Sequence, residues 1–260
     1  MKKISYIISL NILLAFPVFA ETAQEKGLTI AMEQDRRDSG WMDRSAELSM
    51  TLRNAQGEEK KRHLRNMALE VDGDGDKSLT LFDEPRDIKG TVFLSHTHAT
   101  NPDDQWIYLP ALKRIKRISS GNKSGPFMGS EFAYEDLSSQ EIDKYSYKYL
   151  RDEQIDGHES FVTERTPRYE NSGYTRLVTW TDKTIYQPRK IEYYDKKNTL
   201  LKTLTFHQYQ QHLDQYWRAQ VMEMVNHQTQ KSTTLEWHND QFKNGLASRD
   251  FEKNSLKRLR

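Results

Sequence analysis

From residue 45 onward the chain alternates. In SAELSMTLRN, residues 45–54, Ala46, Leu48, Met50 and Leu52 share one face, and Glu47, Ser49, Thr51 and Arg53 share the other. Period two with one apolar and one polar side marks a half-buried antiparallel strand. The pattern recurs over 60–71, 79–82, 91–94, 106–109, 145–150, 159–165, 174–181, 186–194, 200–208, 216–226 and 233–237, with turn residues such as Asp156-Gly157 and Asn171-Ser172-Gly173 between them. So many short strands predict one large antiparallel sheet, strongly curved or nearly closed. The exception comes first. Residues 22–37 read as a helix, with Thr22 as its cap, Glu25 three residues on, and Leu28, Ile30, Ala31 and Met32 as its apolar stripe.

The N-terminus addresses the chain. Lys2 and Lys3 precede an apolar run over 4–16, and Val18-Phe19-Ala20 follows. That reads as a secretory signal cleaved after Ala20, which leaves a single domain over 21–260 exported to the periplasm. The chain has no cysteine, so it must hold itself together by core burial. Its 39 Lys+Arg stand against 38 Asp+Glu, and without Lys2 and Lys3 the balance is 37 to 38. Nucleic-acid modules carry a clear basic excess. No nucleic-acid partner is expected.

Two clusters invite a metal reading. Asp72, Asp74, Asp76 and Asp83 follow the spacing of an EF-hand loop, but Lys77 stands where that loop needs glycine, and both flanks alternate like strands. A Gly/Asp-rich hairpin turn explains the same letters. His96 and His98 point one way from an extended segment, yet no third ligand stands at a recognisable spacing. The chain has no G-x-S-x-G elbow, H-E-x-x-H, phosphate loop or cysteine nucleophile. The reading is non-enzymatic, with no cofactor and no metal.

Residues 106–132, WIYLPALKRIKRISSGNKSGPFMGSEF, are the most unusual stretch. The basic run Lys113, Arg114, Lys116 and Arg117 carries charge on both faces of a strand. That suits an edge, where positive side chains block further pairing, or a rim that meets anionic lipid headgroups. Phe127, Met128 and Phe132 follow on a Gly/Ser-rich loop, with Gly125 and Gly129 as candidate hinges. Large apolar groups on such a loop suggest a lid across a hydrophobic cavity.

The order of motifs in this region carries a resemblance. Phe82 and Pro85, then Asp87, Lys89, Gly90, Thr91, Phe93 and Leu94, then Asp104, Trp106, Tyr108, Leu109 and Pro110, and finally FMGSEF over 127–132 appear in sequence. A second block over 180–202 places Trp180 ahead of a P-x-K-like hairpin, with Arg189 where lysine is usual and Asn198 where glycine is usual. Together they resemble the LolA-like family of outer-membrane lipoprotein-sorting proteins. The resemblance implies a mainly β fold with a few helices: an incomplete, half-open antiparallel β-barrel closed by helices around a cavity for acyl chains. It implies a carrier that binds lipid or lipoprotein acyl chains between the inner and outer membrane. A transient membrane-surface contact and an inner-membrane RND-type exporter are the candidate partners. On that basis the expected lipid contacts are Met50, Leu52, Phe93, Trp106, Tyr108, Leu109, Leu112, Phe127, Met128, Phe132 and Trp180. Lys113, Arg114, Lys116 and Arg117 form the expected headgroup rim. The alternative from another class is an envelope sensor that binds a membrane-protein partner; a weaker third is a metal-dependent enzyme using His96 and His98.

Overall fold

The computed structural model describes residues 20–259; the signal segment lies outside the described residues apart from Ala20. Helix α1 runs from Ala23 to Arg37. Its capping box is formed: the Glu25 amide donates to Thr22 Oγ1 at 3.2 Å, and the Thr22 amide donates to Glu25 Oε2 at 2.8 Å. These bonds satisfy amides that a helix start otherwise leaves open. Among the described residues no helix is long and apolar enough to cross a membrane.

The rest is one antiparallel sheet of thirteen strands. A first meander comprises β1 (Asp43–Arg53), β2 (Glu59–Leu69), β3 (Lys77–Glu84), β4 (Val92–His96), β5 (Asp104–Leu109) and β6 (Arg114–Ile118). A second comprises β7 (Tyr145–Ile155), β8 (His158–Pro167), β9 (Arg176–Asp182), β10 (Pro188–Tyr194), β11 (Leu200–His212), β12 (Tyr216–Asn226) and β13 (Lys231–Phe242). Within each meander every strand pairs with its neighbour in sequence, and β13 returns to pair with β1. This is the order of an up-and-down barrel left open between β6 and β7. The connection over 119–144 has to pass from one free edge to the other.

The sheet curls around its inner face. In register, Leu48 lies opposite Leu64 on β2 and Trp237 on β13, and Leu64 lies opposite Phe82 on β3. Ile191 on β10 lies opposite Leu204 on β11, which lies opposite Met224 on β12. All of these belong to one apolar cluster, although β3 and β10 are far apart in strand order. The cluster is completed from the connection. Phe127 is buried with its ring 5.1 Å from Phe93 and 5.8 Å from Phe82, and Phe132 is buried beside it.

That placement corrects the expectation of a lid. The loop over 127–132 is a plug. The Phe127 amide donates to the Phe132 carbonyl at 2.7 Å, Lys202 Nζ donates to the Glu131 carbonyl at 2.8 Å, and the Glu131 amide donates to Thr233 Oγ1 at 3.0 Å. Sequence shows large apolar groups on a glycine-rich loop but not that the loop threads the open side of the sheet. There it covers apolar strands, which is where burial is most favourable.

The outer face of β3–β5 is apolar too. Leu79, Leu81, Val92 and Leu94 are covered by the C-terminal segment through Phe251 and Leu256, both fully buried. Asp43 anchors that segment by accepting from the amides of Asn244 (2.7 Å) and Gly245 (3.1 Å). His96 Nε2 donates to the Phe251 carbonyl at 2.7 Å, and His98 Nδ1 donates to Asp74 at 2.8 Å. The two histidines and the Asp-rich turn thus have structural partners, and Asp83 is held by Arg65 at 2.7 and 2.8 Å.

Candidate functional site

Beside the plug the inner face is not filled. A cavity of about 1110 Å³ lies between α1, the sheet and the turn that joins β2 to β3. Its floor is apolar: Ile191 on β10, Leu204 and Phe206 on β11 and Met222 on β12. The period-two pattern brings these together, since alternate residues of neighbouring strands share a face. Ile191 and Leu204 also belong to the central cluster, so the floor continues the core. Ile30 and Ala31 of α1 form the facing side.

The wall on β8 and β9 differs in chemistry. Thr163, Arg165, Thr179 and Thr181 line it, and all four are buried. Thr163 lies directly opposite Thr179, and Arg165 is two residues further along the same face. Tyr147 on β7 continues the wall, and burial pushes its phenol up to about 12. Near the solvent end stand Asp35, Asp38, Glu70, Asp76 and Glu141. Burial first, then the neighbouring Glu141 carboxylate, pushes Asp76 up to about 7. The cavity is therefore amphipathic, with a greasy floor and a polar wall.

The structure divides the lipid contacts expected from sequence. Met50, Phe93, Phe127 and Phe132 are in the central cluster, with Leu52 and Met128 packed against it. Trp106 and Tyr108 lie on the outer face against the cluster that the C-terminal segment covers. Trp180 is buried on the outer face of β9 with Val162 and Val178, under the ammonium of Lys190 at 3.5 Å. Leu109 ends β5, and Leu112 is exposed in the turn after it. None of these eleven lines the cavity. Lys113 lies in the β5–β6 turn, and Arg114, Lys116 and Arg117 lie on β6, an edge strand. Arg117 pairs with Asp104.

The residues that do line the floor were legible as strands, but not as a site. Ile191, Leu204, Phe206 and Met222 look like any inward-facing set. Only the curl of the sheet shows that they border a cavity.

Known proteins place this architecture. A family model whose description reads "Uncharacterized protein" matches residues 74–258. No curated protein sequence matches the chain. Among solved structures, a domain from Vibrio parahaemolyticus assigned to outer membrane lipoprotein sorting is 58% identical, covering 90% of this chain and 99% of that one, with a TM-score of 0.89. A DUF1329 family protein from Desulfovibrio piger is 29% identical over the same shares of the two chains, with a TM-score of 0.86. A LolA superfamily protein from Nitrosomonas europaea has the same fold at 20% identity, with a TM-score of 0.69 and again 90% and 99% coverage. With 90% of its length matched at 58% identity, the chain belongs to the family of the outer-membrane lipoprotein-sorting domain from Vibrio parahaemolyticus, and it shares the fold of the LolA superfamily protein.

Proposed function

We propose that this protein is a periplasmic carrier that shields acyl chains of a lipid or lipoprotein in the cavity above Ile191, Leu204, Phe206 and Met222. The observation that carries the reading is the unfilled volume itself. About 1110 Å³ is at or above the upper end of the roughly 300–1,000 Å³ range of small-molecule pockets, and its floor is apolar. Burial contributes about 0.8 kcal/mol per CH₂, so ten buried carbons supply roughly 8 kcal/mol before the cost of ordering them. Transfer then needs a partner that competes for the chains, and an inner-membrane RND-type exporter is the proposed donor. The basic edge β6 is the proposed contact with anionic headgroups.

The test is mass spectrometry of the organic extract from protein purified out of the periplasm without detergent. Stoichiometric phospholipid or acylated peptide is expected. A lipid-free extract from folded protein, together with no uptake of a dimyristoyl lipid, would overturn the carrier reading and favour the partner-binding sensor.

A further inference from the structure

Buried cations in this sheet normally hold a carboxylate. Lys202 pairs with Asp136 at 2.6 Å, Arg189 with Asp182 at 2.6 Å and Arg44 with Asp240 at 2.5 Å. Arg165 breaks the pattern. It is only 6% exposed, its Nη1 donates to the Gln140 side-chain carbonyl, and among the described residues no carboxylate pairs with it. Its Nε finds no acceptor. The Thr179 hydroxyl, also 6% exposed and lining the same cavity, is unpartnered as well. The Tyr145 ring lies 5.2 Å from the guanidinium and offers its face, but no counter-charge. A buried guanidinium without a carboxylate and with Nε left open is a costly arrangement for a fold to keep.

We infer that Arg165, with the Thr179 hydroxyl, is the binding site for an anionic headgroup, a phosphate or carboxylate, whose acyl chains lie on the neighbouring apolar floor. This rests on the carrier reading and deepens it. Arg165 and Thr179 stand on adjacent strands of one face, diagonal to each other, a spacing within reach of a single tetrahedral or planar anion. A guanidinium offers five donors in a planar fork, so Nε together with one Nη can hold two anion oxygens at once. Of the carboxylates on the cavity, two near this wall already have partners. Asp136 holds Lys202, and Glu141 accepts from Ser139 Oγ at 2.7 Å. The arrangement also orients the ligand: headgroup on β8–β9, tails across β10–β12.

Binding of dimyristoyl phosphatidate, dimyristoylglycerol and inorganic phosphate to delipidated full-length protein tests this, because the two lipids share their tails. Phosphatidate is expected to bind about ten- to a hundredfold more tightly than the diacylglycerol, the usual worth of hydrogen bonds to a charged group. Arg165→Met should abolish that difference, leave diacylglycerol binding unchanged and raise the melting temperature of the empty protein. Should Arg165→Met fail to fold, Thr179→Val loses only a hydroxyl and should narrow the same preference. Equal affinity of the wild type for both lipids would overturn the anion site and leave the carrier reading intact. Phosphate binding with no lipid binding would keep the site, as one for a free anion, and end the carrier reading. No binding of any of the three would end both.

Discussion

Asp76 shows how one residue type can be misread from its neighbours. In sequence it is one of three alternating aspartates that imitate a calcium loop. In the fold it lines the cavity while its amide donates to Ser139 Oγ at 3.2 Å. Its carboxyl is pushed up to about 7, chiefly by burial and then by Glu141, against about 3.9 in an unfolded chain. Between roughly pH 4 and pH 7 the folded state therefore holds this proton more tightly than the unfolded state does. The stability it contributes is complete below pH 4 and is lost as pH rises through about 7. Asp76→Asn is expected to stabilise the protein by roughly 1–3 kcal/mol at pH 8, a range discounted for the partial exposure of the side chain. The gain should shrink toward zero near pH 4. Urea unfolding at both values measures it, and a gain that does not vary with pH would refute the assignment.

At the scale of elements, sequence was most informative where a local rule decides the outcome. The helix over 22–37 is set by its cap, and α1 agrees with it apart from the capping residue itself; of the expected stripe Ile30 is buried, whereas Leu28 and Met32 are exposed. All twelve alternating runs became strands, because side-chain alternation reports directly on a half-buried sheet. The basic run became the edge strand β6, as edge charge predicts. What could not be read was long-range. Phe127 and Phe251 carry no local sign that one plugs the inner face and the other covers the outer. Nor does a strand pattern reveal which inward residues border a cavity. Gly27 is a case between the two. In a helix interior it costs about 1 kcal/mol relative to alanine, which argues against the helix locally. Its reason lies across the interface: a Cβ there would stand 2.8 Å from the amide nitrogens of Lys148 and Tyr149 on β7, the free edge that α1 covers. Gly27→Ala should therefore lose roughly 1–3 kcal/mol by overpacking, despite its better helix propensity. Faster hydrogen exchange at the Lys148 and Tyr149 amides should accompany the loss. A stabilised variant would mean that α1 is not seated on that edge.

Across the whole molecule, the sheet has apolar surface on both faces and uses each differently. Outside, the C-terminal segment covers the cluster of Leu79, Leu81, Val92 and Leu94, all of them buried. Inside, the plug fills the part of the concave face near Phe82 and Phe93 and leaves a cavity beside Phe206 and Met222. A protein selected for stability alone would fill both. The two faces should accordingly separate under mutation. Phe251→Ala removes a fully buried ring and is expected to cost about 3–5 kcal/mol, while the protein that remains folded carries wild-type lipid. Met222→Trp, pointing into empty volume, should leave stability unchanged or slightly improved and lower lipid content several-fold by occupying the space of the acyl chain. Thermal unfolding and lipid extraction on the same two preparations decide the matter. If Met222→Trp keeps its full lipid load while Phe251→Ala loses it, the ligand lies against the outer face and the cavity is not the site.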